Sequence, residues 1–397
     1  MYESKVDVRF LQVSDIHLGS RIGLGWLTPE QCEEMNRCVR DSFRRAMLLA
    51  REKQVDAVLI PGDLFDDESV KPEQVSWAVS CFKEIAPIPV FIAPGNHDPY
   101  WPGSPYHPMW TARNPQLAWP ENVFIFTHPQ FETVQLQGSN YSVTGIAHTN
   151  AGEIRERLLA GNIACGNAPV RLLLLHGSRE AVGLPPKEKT LPFTDDELAN
   201  QSVHWAAIGH YHSASIIQDS QTRQIGGYSG CPQGRGLDEC GTKGALLVDI
   251  TERGAKTEFV ELASRGIWQM AVDVTGKGLP EIIGAIESEV APVSAGDLVT
   301  IKLSGRLNND TTLDFPPGFI SDKVFACQCD FAAVTPDYDL EQLLTPQDCE
   351  GLPGRFAQRI TELRAAAPEE EQGLFDEALY LGLDAIYGKS LRSPDAY

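Results

Sequence analysis

Five short segments of this sequence carry side chains of the kinds that bind divalent metal ions. Each segment follows a run of apolar, β-type residues and holds carboxylate, amide or imidazole groups beside glycine or a second polar residue. These side chains are Asp15, His17, Asp63, Asp66, Asn96, His97, His176, His210 and His212. Oxygen and imidazole donors without cysteine suit a hard or borderline divalent ion, such as Mn²⁺, Fe²⁺ or Zn²⁺, rather than a thiolate site.

The spacing of these residues points to two ions. In Asp15/His17 and in His210/His212, alternate residues of an extended segment face the same way, so each pair can bind one ion. Ligands in parallel α/β sheets collect at the carboxyl ends of the strands, so all five segments can meet at one edge. The donors are too many for one ion and about right for two that share a carboxylate. Two ions ~3.5–4 Å apart are a known device for phosphoester displacement.

Each segment by itself also has a simpler interpretation. A Gly-Asp or Gly-Asn pair usually marks a turn, and one histidine after an apolar run is usually structural. Five of the nine histidines nevertheless fall in these segments, each after a β-type run. That coincidence favours one shared site over five unrelated turns.

The elements that must position these residues alternate between strands and helices. The first β-type runs are Val6–Ser14, Ala57–Ile60 and Val90–Ala93. A helix is predicted from Thr28 to about Glu52, because Thr28 can cap it, Pro29 suits its first turn and Gln31 completes a capping box. Strands that alternate with helices imply βαβ units with parallel strands. The predicted fold is an α/β layered β-sandwich flanked by helices, followed by a smaller α+β capping domain.

Composition sets limits on the class of protein. The chain of 397 residues has 42% hydrophobic residues and a net charge of −21, which excludes a strongly basic nucleic-acid binder recognised by charge alone. No apolar run approaches the ~20 residues that span a bilayer, and residues 1–10 lack a signal-peptide core. The nine cysteines are scattered without a paired framework. We therefore expect a cytoplasmic protein that does not enter the membrane.

The charge is distributed unevenly and suggests a domain boundary. Residues 266–397 hold 9 basic and 22 acidic residues, a balance of −13, whereas the first 265 residues carry only −8. We predict a catalytic domain over residues 1–265, an α+β capping domain over 266–340 and a helical C-terminal region over 341–397. In that last region one apolar helical stripe either packs on the chain's own core or docks a partner protein. It consists of Leu374, Ala378, Leu381 and Ala385, with Phe375, Leu379 and Ile386 beside it.

The order of the motifs resembles the calcineurin-like metallophosphoesterases. These motifs are DxH at Asp15, GDxxD at Asp63, GNHD at Asn96, a single histidine at His176 and GHxH at His210. The longer stretches 10–19, 62–66 and 94–99 look like the SbcD-type DNA-repair exonucleases, especially the YhaO-like group. The stretches 230–236 and 239–244 are similar to the segment that follows GHxH in that group, and 377–386 to its tail.

The resemblance implies a role for each motif residue. One ion would be bound by Asp15, His17, Asp63 and His212. The second would be bound by Asn96, His176 and His210 together with the shared Asp63. His97 would be the proton donor or phosphate stabiliser, and a metal-bridging hydroxide the nucleophile.

The residue at position 66 departs from much of the family. Many relatives have histidine where this chain has Asp66, and that histidine assists the exonuclease reaction. An aspartate occurs there in other branches, so we keep Asp66 as a candidate catalytic residue.

The predicted function is a two-metal phosphodiesterase, most simply with Mn²⁺, that cleaves DNA as an exonuclease or endonuclease in double-strand-break repair. The resemblance also implies a homodimer and an SMC-like ABC ATPase partner with a long coiled coil. Arg235 and Lys243 could contact substrate phosphates or only solvate the edge of the site. Two alternatives remain: a phosphomonoesterase or small-nucleotide phosphodiesterase, which the negative charge favours, and a non-catalytic metal-binding scaffold of an ATPase complex.

Overall fold

The structure is a computed structural model that describes residues 6–66, 70–149, 154–180, 189–308, 311–315, 319–320 and 323–388. The chain divides into two compact units. The first comprises Met1–Gln269 with Ser294–Val299 and Val324–Ala326, and the second comprises Met270–Val293, Thr300–Lys323 and Cys327–Tyr397. Residues 389–397, the end of the predicted C-terminal region, lie outside the described residues.

The first unit contains two six-stranded sheets. Its strands are β1 Val6–Gln12, β2 Ala57–Ile60, β3 Val90–Ile92, β4 Val123–Ile125, β5 Glu132–Val134, β6 Tyr141–Gly145, β7 Val170–His176, β8 Trp205–Gly209, β9 Ser215–Gln218, β10 Gln224–Tyr228, β11 Gly244–Thr251 and β12 Gly254–Glu261. One sheet has the order β12-β11-β1-β2-β3-β4 and the other β5-β6-β7-β8-β10-β9. The strands β1 to β4 pair in parallel, as do β6, β7, β8 and β10.

Burial follows the alternation of side chains along each strand. Phe10 and Leu59 pack between the two sheets together with Leu172 of the opposite sheet. Their neighbours Leu11 and Val58 face the other way, into the core beneath the helices. Because both faces of the central strands are covered, they read as continuous apolar runs. The predicted layered α/β sandwich is confirmed.

The helices of this unit are α1 Pro29–Glu52, α2 Pro72–Ile85, α3 Pro108–Arg113 and α4 Asp195–Ala199. Helix α1 begins as predicted: the Thr28 hydroxyl accepts a hydrogen bond from the Gln31 amide at 3.2 Å, and the Gln31 side chain accepts one from the Thr28 amide at 3.0 Å. This reciprocal pair satisfies two backbone donors that a helix start leaves open. The buried face of α1 includes Val39 and Phe43.

A third sheet has three strands in the order β13-β14-β15. Its strands are β13 Ile267–Asp273, β14 Leu298–Leu307 and β15 Ala326–Pro336. The helices of the second unit are α5 Leu279–Val290, α6 Leu340–Leu343, α7 Leu352–Ala366 and α8 Gln372–Ile386. No helix among the described residues is long and apolar enough to cross a membrane.

Helix α8 packs against α7 through a face that the sequence stripe did not single out. Leu379 and Leu383 are buried with Ala357 of α7, and an added Cβ at Gly382 would collide with the Phe356 ring. The predicted stripe lies away from this contact: Leu381 is half-buried, and Leu374, Ala378 and Ala385 are exposed. Three of the four stripe residues are thus exposed, whereas the adjacent Leu379 belongs to the chain's own core.

Candidate metal centre

The predicted ligands collect at the carboxyl ends of five strands. Asp15 and His17 follow β1, Asp63 follows β2 and Asn96 follows β3. In the other sheet His176 is the last residue of β7, and His210 and His212 follow β8. Since these strands run parallel within each sheet, their ends reach one edge of the sandwich. The structure thus brings both halves of the predicted site together.

Asp63 lies at the centre of the cluster. Its Oδ2 is 3.3 Å from Nε2 of His176 and 3.5 Å from Nε2 of His17. Asp15, Asp63 and His176 offer ligand atoms that all lie within 4.8 Å of one another. The same holds for Asp15, His17 and His212. These two groups overlap at Asp15, and Asp63 contacts His17 of one group and His176 of the other, so carboxylates lie between the two sets of ligands as two neighbouring ions require.

The other two predicted ligands lie against His176. Oδ1 of Asn96 is 2.9 Å from Nε2 of His176, and the rings of His176 and His210 are 5.2 Å apart at 74°. Nδ1 of His176 is 3.0 Å from the carbonyl oxygen of Pro61. A donated hydrogen bond there leaves Nε2 with its lone pair toward Asp63 and Asn96.

The loops that carry the ligands adopt an uncommon backbone conformation. Asp15, His17, Asp63 and His210 all have positive φ, at 53°, 48°, 52° and 106°. The loops are nevertheless fixed, because the His17 amide donates to the Asp63 carbonyl at 2.9 Å. Non-glycine residues in this region are strained and concentrate at functional sites.

Two glycines allow the loops to approach the ligands closely. An added Cβ at Gly62, which has φ of +91°, would collide with the ring of His176. An added Cβ at Gly95 would collide with Oδ1 of Asp63. The glycines of the GD and GN motifs therefore leave room for the ligand side chains.

The residues present fit a divalent cation. His17 is buried, and neither of its ring nitrogens has a hydrogen-bond partner among the described residues. Burial lowers the pKa of His17 and His176 well below the usual value, which keeps both imidazoles in the neutral form that binds metals. Burial, with the nearby Asp98 and Asp15, raises the pKa of Asp63 well above its usual value. Buried carboxylates beside unpartnered imidazoles are stabilised by a bound cation.

His97 lies at the open side of the cluster. Its side chain is 50% exposed, and its Nδ1 is 3.4 Å from Oδ1 of Asp66. Its backbone amide donates to Oδ1 of Asp63 at 3.1 Å, and its ring is 4.9 Å from that of His17. The hydrogen bond from His97 lowers the pKa of Asp66. The structure therefore pairs the two predicted catalytic residues at the rim of the cluster of candidate ligands.

Asp98 organises the site, a role that sequence reasoning missed. It is buried, and it accepts hydrogen bonds from the amides of Asp63, Leu64, Phe65 and Gly95 at 2.7–3.1 Å. The Tyr106 hydroxyl donates to it at 2.5 Å. Burial raises the pKa of Asp98 to about 6, although these bonds act in the opposite direction. The only sequence signal for this role was that Asp98 is the last residue of the GNHD motif.

A profile of the calcineurin-like phosphoesterase family matches residues 8–214, just over half of the chain. This stretch contains all seven predicted ligands. The chain belongs to the calcineurin-like phosphoesterase family. It is thus a metallophosphoesterase, and the predicted family is confirmed.

Individual relatives narrow the branch within this family. The chain is 28% identical to the uncharacterized metallophosphoesterase YhaO of Bacillus subtilis over 306 residues, which cover 75% of this chain and 71% of YhaO. It is 28% identical to the DNA double-strand break repair protein Mre11 of Sulfurisphaera tokodaii, over 61% of this chain and 60% of that protein. For Mre11 of Aeropyrum pernix the identity is 26%, over 68% and 64%. The resemblance to the YhaO-like, SbcD-type branch is confirmed.

Solved structures add a distant likeness. A dimetal phosphatase from Danio rerio is 11% identical, with a TM-score of 0.39 over 65% of this chain and 100% of that one. The chain also spans under two thirds of both Mre11 proteins.

The two predicted substrate contacts lie below the surface of the metallophosphoesterase site. Arg235 is 9% exposed and forms an ion pair with Glu239. Lys243 is 3% exposed, and its Nζ donates to the His212 carbonyl at 2.8 Å. Both side chains thus bind protein groups beside His212, and their contact with substrate stays a prediction.

Glu239 is a second functional candidate that sequence reasoning missed. This buried carboxylate lies 2.6 Å from Nδ1 of His212. Burial alone would raise its pKa, but the hydrogen bond with His212 and the adjacent Arg235 lower the pKa of Glu239 to about 2. The sequence signal for Glu239 was its position in the stretch 239–244, which resembles the related nucleases but had no assigned role.

Proposed function

We propose that this metallophosphoesterase is a two-metal phosphodiesterase that cleaves DNA phosphodiester bonds. The observation that carries the proposal is the cluster around Asp63, in which buried oxygen and imidazole donors from two sheets converge beneath the exposed His97. One ion would be held by Asp15, His17, Asp63 and His212, and the other by Asp63, Asn96, His176 and His210. The donor set suits Mn²⁺, with Fe²⁺ or Zn²⁺ as other possibilities.

The chain's own residues would supply position and a proton. When bound, the two ions supply a nucleophile near neutral pH and neutralise charge on the phosphoryl oxygens. His97 is exposed enough to reach a bound phosphodiester, and Asp66 lies on the Nδ1 side of its ring. With Asp66 accepting the Nδ1 proton, the imidazolium form of His97 directs its Nε2 proton to the leaving oxygen, which it protonates as general acid. The hydrogen bond from the His97 amide to Asp63 keeps this proton donor beside the metal ligands.

Two observations bear on the substrate. The similarity to two DNA double-strand break repair proteins supports DNA. The charge of −21 and the internal contacts of Arg235 and Lys243 instead favour a small nucleotide or a phosphomonoester, because phosphate contacts from basic residues normally dominate DNA affinity. A phosphomonoesterase or small-nucleotide phosphodiesterase is therefore the second candidate.

A direct assay separates the two candidates. Purified protein is incubated with linear double-stranded DNA, bis(p-nitrophenyl) phosphate and p-nitrophenyl phosphate, each with Mn²⁺, Mg²⁺ or EDTA. Asp63→Asn serves as the control for contaminating nucleases, because it removes the central carboxylate with little change in volume. We expect Mn²⁺-dependent shortening of DNA that EDTA and this variant abolish. Hydrolysis of the monoester with intact DNA would replace the DNA proposal by the second candidate.

We also propose a cytoplasmic homodimer that works with an SMC-like ABC ATPase carrying a coiled coil. The exposed apolar residues on α8 support a protein partner: Leu374 is 68% exposed, and Ala378 and Ala385 are also exposed. An amphipathic helix that offers an apolar face to another helix is a common mode of docking. Co-purification with the ATPase and light scattering of the isolated protein test the partner and the dimer.

A non-catalytic scaffold is the remaining alternative from the sequence. The pairing of exposed His97 with Asp66 beside the donor groups of Asp15 and Asp63 favours catalysis over that alternative. If the metal-loaded protein hydrolyses none of the three substrates but still binds the ATPase, the scaffold interpretation takes its place.

A further inference from the structure

The segment 230–243 contains three buried side chains that the proposed reaction does not use. Arg235, Glu239 and Lys243 are only 9%, 2% and 3% exposed. Burying ionised groups is unfavourable unless they are paired, so their retention in one short segment needs a physical reason. All three lie around His212, the last member of the GHxH motif.

We propose that Glu239 is a positioning residue that fixes the imidazole of His212 for metal binding, and that Arg235 and Lys243 complete this clamp. The inference rests on the proposed metal site, because it assigns His212 as a ligand. It adds a function for the 230–243 segment, to which the reaction gives none.

The contact between Glu239 and His212 determines which ring nitrogen faces the site. Oε1 of Glu239 is 2.6 Å from Nδ1 of His212. An ionised carboxylate only accepts hydrogen bonds, so the proton must lie on Nδ1. Nε2 points to the other side of the ring, 3.8 Å from Oδ1 of Asp15. Carboxylates that hold metal-binding histidines in this way fix both the tautomer and the ring orientation.

The backbone of His212 is held as firmly as its ring. Its carbonyl oxygen accepts hydrogen bonds from Nζ of Lys243 at 2.8 Å and from the Cys231 amide at 3.3 Å. An added Cβ at Gly230, which has φ of +69°, would lie 2.8 Å from that same oxygen. The segment therefore contacts His212 at two places, its imidazole ring and its backbone carbonyl group.

Arg235 holds Glu239 in turn. Its backbone amide donates to Oε2 of Glu239 at 2.6 Å and its Nε to the same oxygen at 3.2 Å, while Nη2 donates to Oε1. Nη1 donates to the Ser20 hydroxyl at 3.1 Å. Both carboxylate oxygens are thus bonded from several sides, which leaves Glu239 little freedom to turn away from His212. Arg235 thus acts on His212 through Glu239.

A metal-binding measurement tests the inference. Glu239→Gln keeps the size of the side chain but removes its charge, and Glu258→Gln makes the same change at an exposed position on β12. Binding of Mn²⁺ alone is followed by calorimetry on the full chain, together with thermal unfolding of the metal-free proteins. We expect Glu239→Gln to lower the affinity for one of the two Mn²⁺ ions by about 10–100-fold and to leave the affinity for the other nearly unchanged. Glu258→Gln should bind both ions as the wild type does.

A second measurement needs no variant at the clamp. In wild-type protein with ¹⁵N-labelled histidine, the inference requires a slowly exchanging, strongly downfield Nδ1 proton from His212. A proton on Nε2 with a bare Nδ1 would overturn it, and this test stands even if Glu239→Gln does not fold.

The outcomes separate this inference from the proposed function. If the wild-type protein binds no Mn²⁺, the proposed metal site itself is wrong. If the wild type and Glu239→Gln both bind two ions with equal affinity, only the proposed role of Glu239 is wrong. Loss of thermal stability in Glu239→Gln without any change in Mn²⁺ affinity would likewise reduce Glu239 to a structural residue and overturn the inference.

Discussion

The backbone amide of Asp63 donates a 3.1 Å hydrogen bond to Oδ1 of Asp98, and both residues are buried. The same carboxylate accepts the Gly95 amide at 2.7 Å. Since Asp63 follows β2 and Gly95 follows β3, one side chain joins the two loops that bring a central carboxylate and an amide ligand together. The geometry of the candidate ligand cluster therefore depends on a residue that is not among the predicted ligands.

We expect Asp98→Asn to destabilise the protein by about 2–4 kcal/mol. The amide group of asparagine faces amide donors that then lose their acceptor, and each buried unsatisfied group costs about 1–3 kcal/mol. Tyr106→Phe removes only one of the five bonds to Asp98 and should cost about 1–2 kcal/mol. Denaturant unfolding of the metal-free variants measures both. Equal stability of Asp98→Asn and wild type would contradict the role of this carboxylate.

Asp63→Ala should lose both metal ions, because its carboxylate lies between the two ligand groups. Elemental analysis after loading with Mn²⁺ should approach two ions per chain for the wild type and none for this variant. Asp41→Ala, at an exposed position on α1, is the matched control and should bind two ions. Full metal retention by Asp63→Ala would exclude a shared carboxylate.

His97→Ala should keep its metal but lose about 10²–10⁴-fold in phosphodiester cleavage, the usual contribution of a general acid. The loss should shrink for aryl phosphodiesters with acidic leaving groups, because these need little protonation. Turnover with a series of leaving groups, alongside Mn²⁺ content, checks both parts. A variant that loses its metal would instead identify His97 as a ligand or structural residue.

Asp66→Ala should lower turnover less than His97→Ala does, because Asp66 acts through the ring that it orients. Asp66→Asn keeps an acceptor for a His97 ring proton and should fall between the wild type and Asp66→Ala. The comparison is made on bis(p-nitrophenyl) phosphate at saturating Mn²⁺. If Asp66→Ala reduced turnover more than His97→Ala, Asp66 would act on the substrate or metal independently of His97.

Two leucines of α8 should behave in opposite ways. Leu374 is 68% exposed, so Leu374→Asp should change the free energy of unfolding by no more than about 0.5 kcal/mol and should abolish binding to the ATPase. Leu383 is fully buried, so Leu383→Ala should cost about 2–5 kcal/mol. Unfolding curves and co-purification measure both effects. Normal ATPase binding by a folded Leu374→Asp variant would argue against docking through this face.

Much of the catalytic unit could be predicted from the sequence because its signals are local. The Thr28–Gln31 capping box lies within four residues, and the strands before Asp15, Asp63 and Asn96 are short apolar runs bounded by turn residues. Alternation along a strand follows from its period of two, and convergence of strand ends follows from parallel pairing. The polar side chains of the candidate site could therefore be listed from the residues alone, and the resemblance to the metallophosphoesterases selected seven of them as ligands.

The supporting contacts were decided only by the tertiary structure. Asp98 bonds to Asp63 across 35 positions of sequence, and Arg235 lies beside His212 across 23, so no local pattern reports either pairing. Sequence is equally insufficient for α8, because its apolar residues are spread over more of the helix circumference than one stripe. Packing against α7 selects Leu379 and Leu383 and leaves Leu374 exposed. Sequence determines which side chains are available for chemistry, whereas the free energy of burial and the need to pair buried charges determine which neighbours hold them in place.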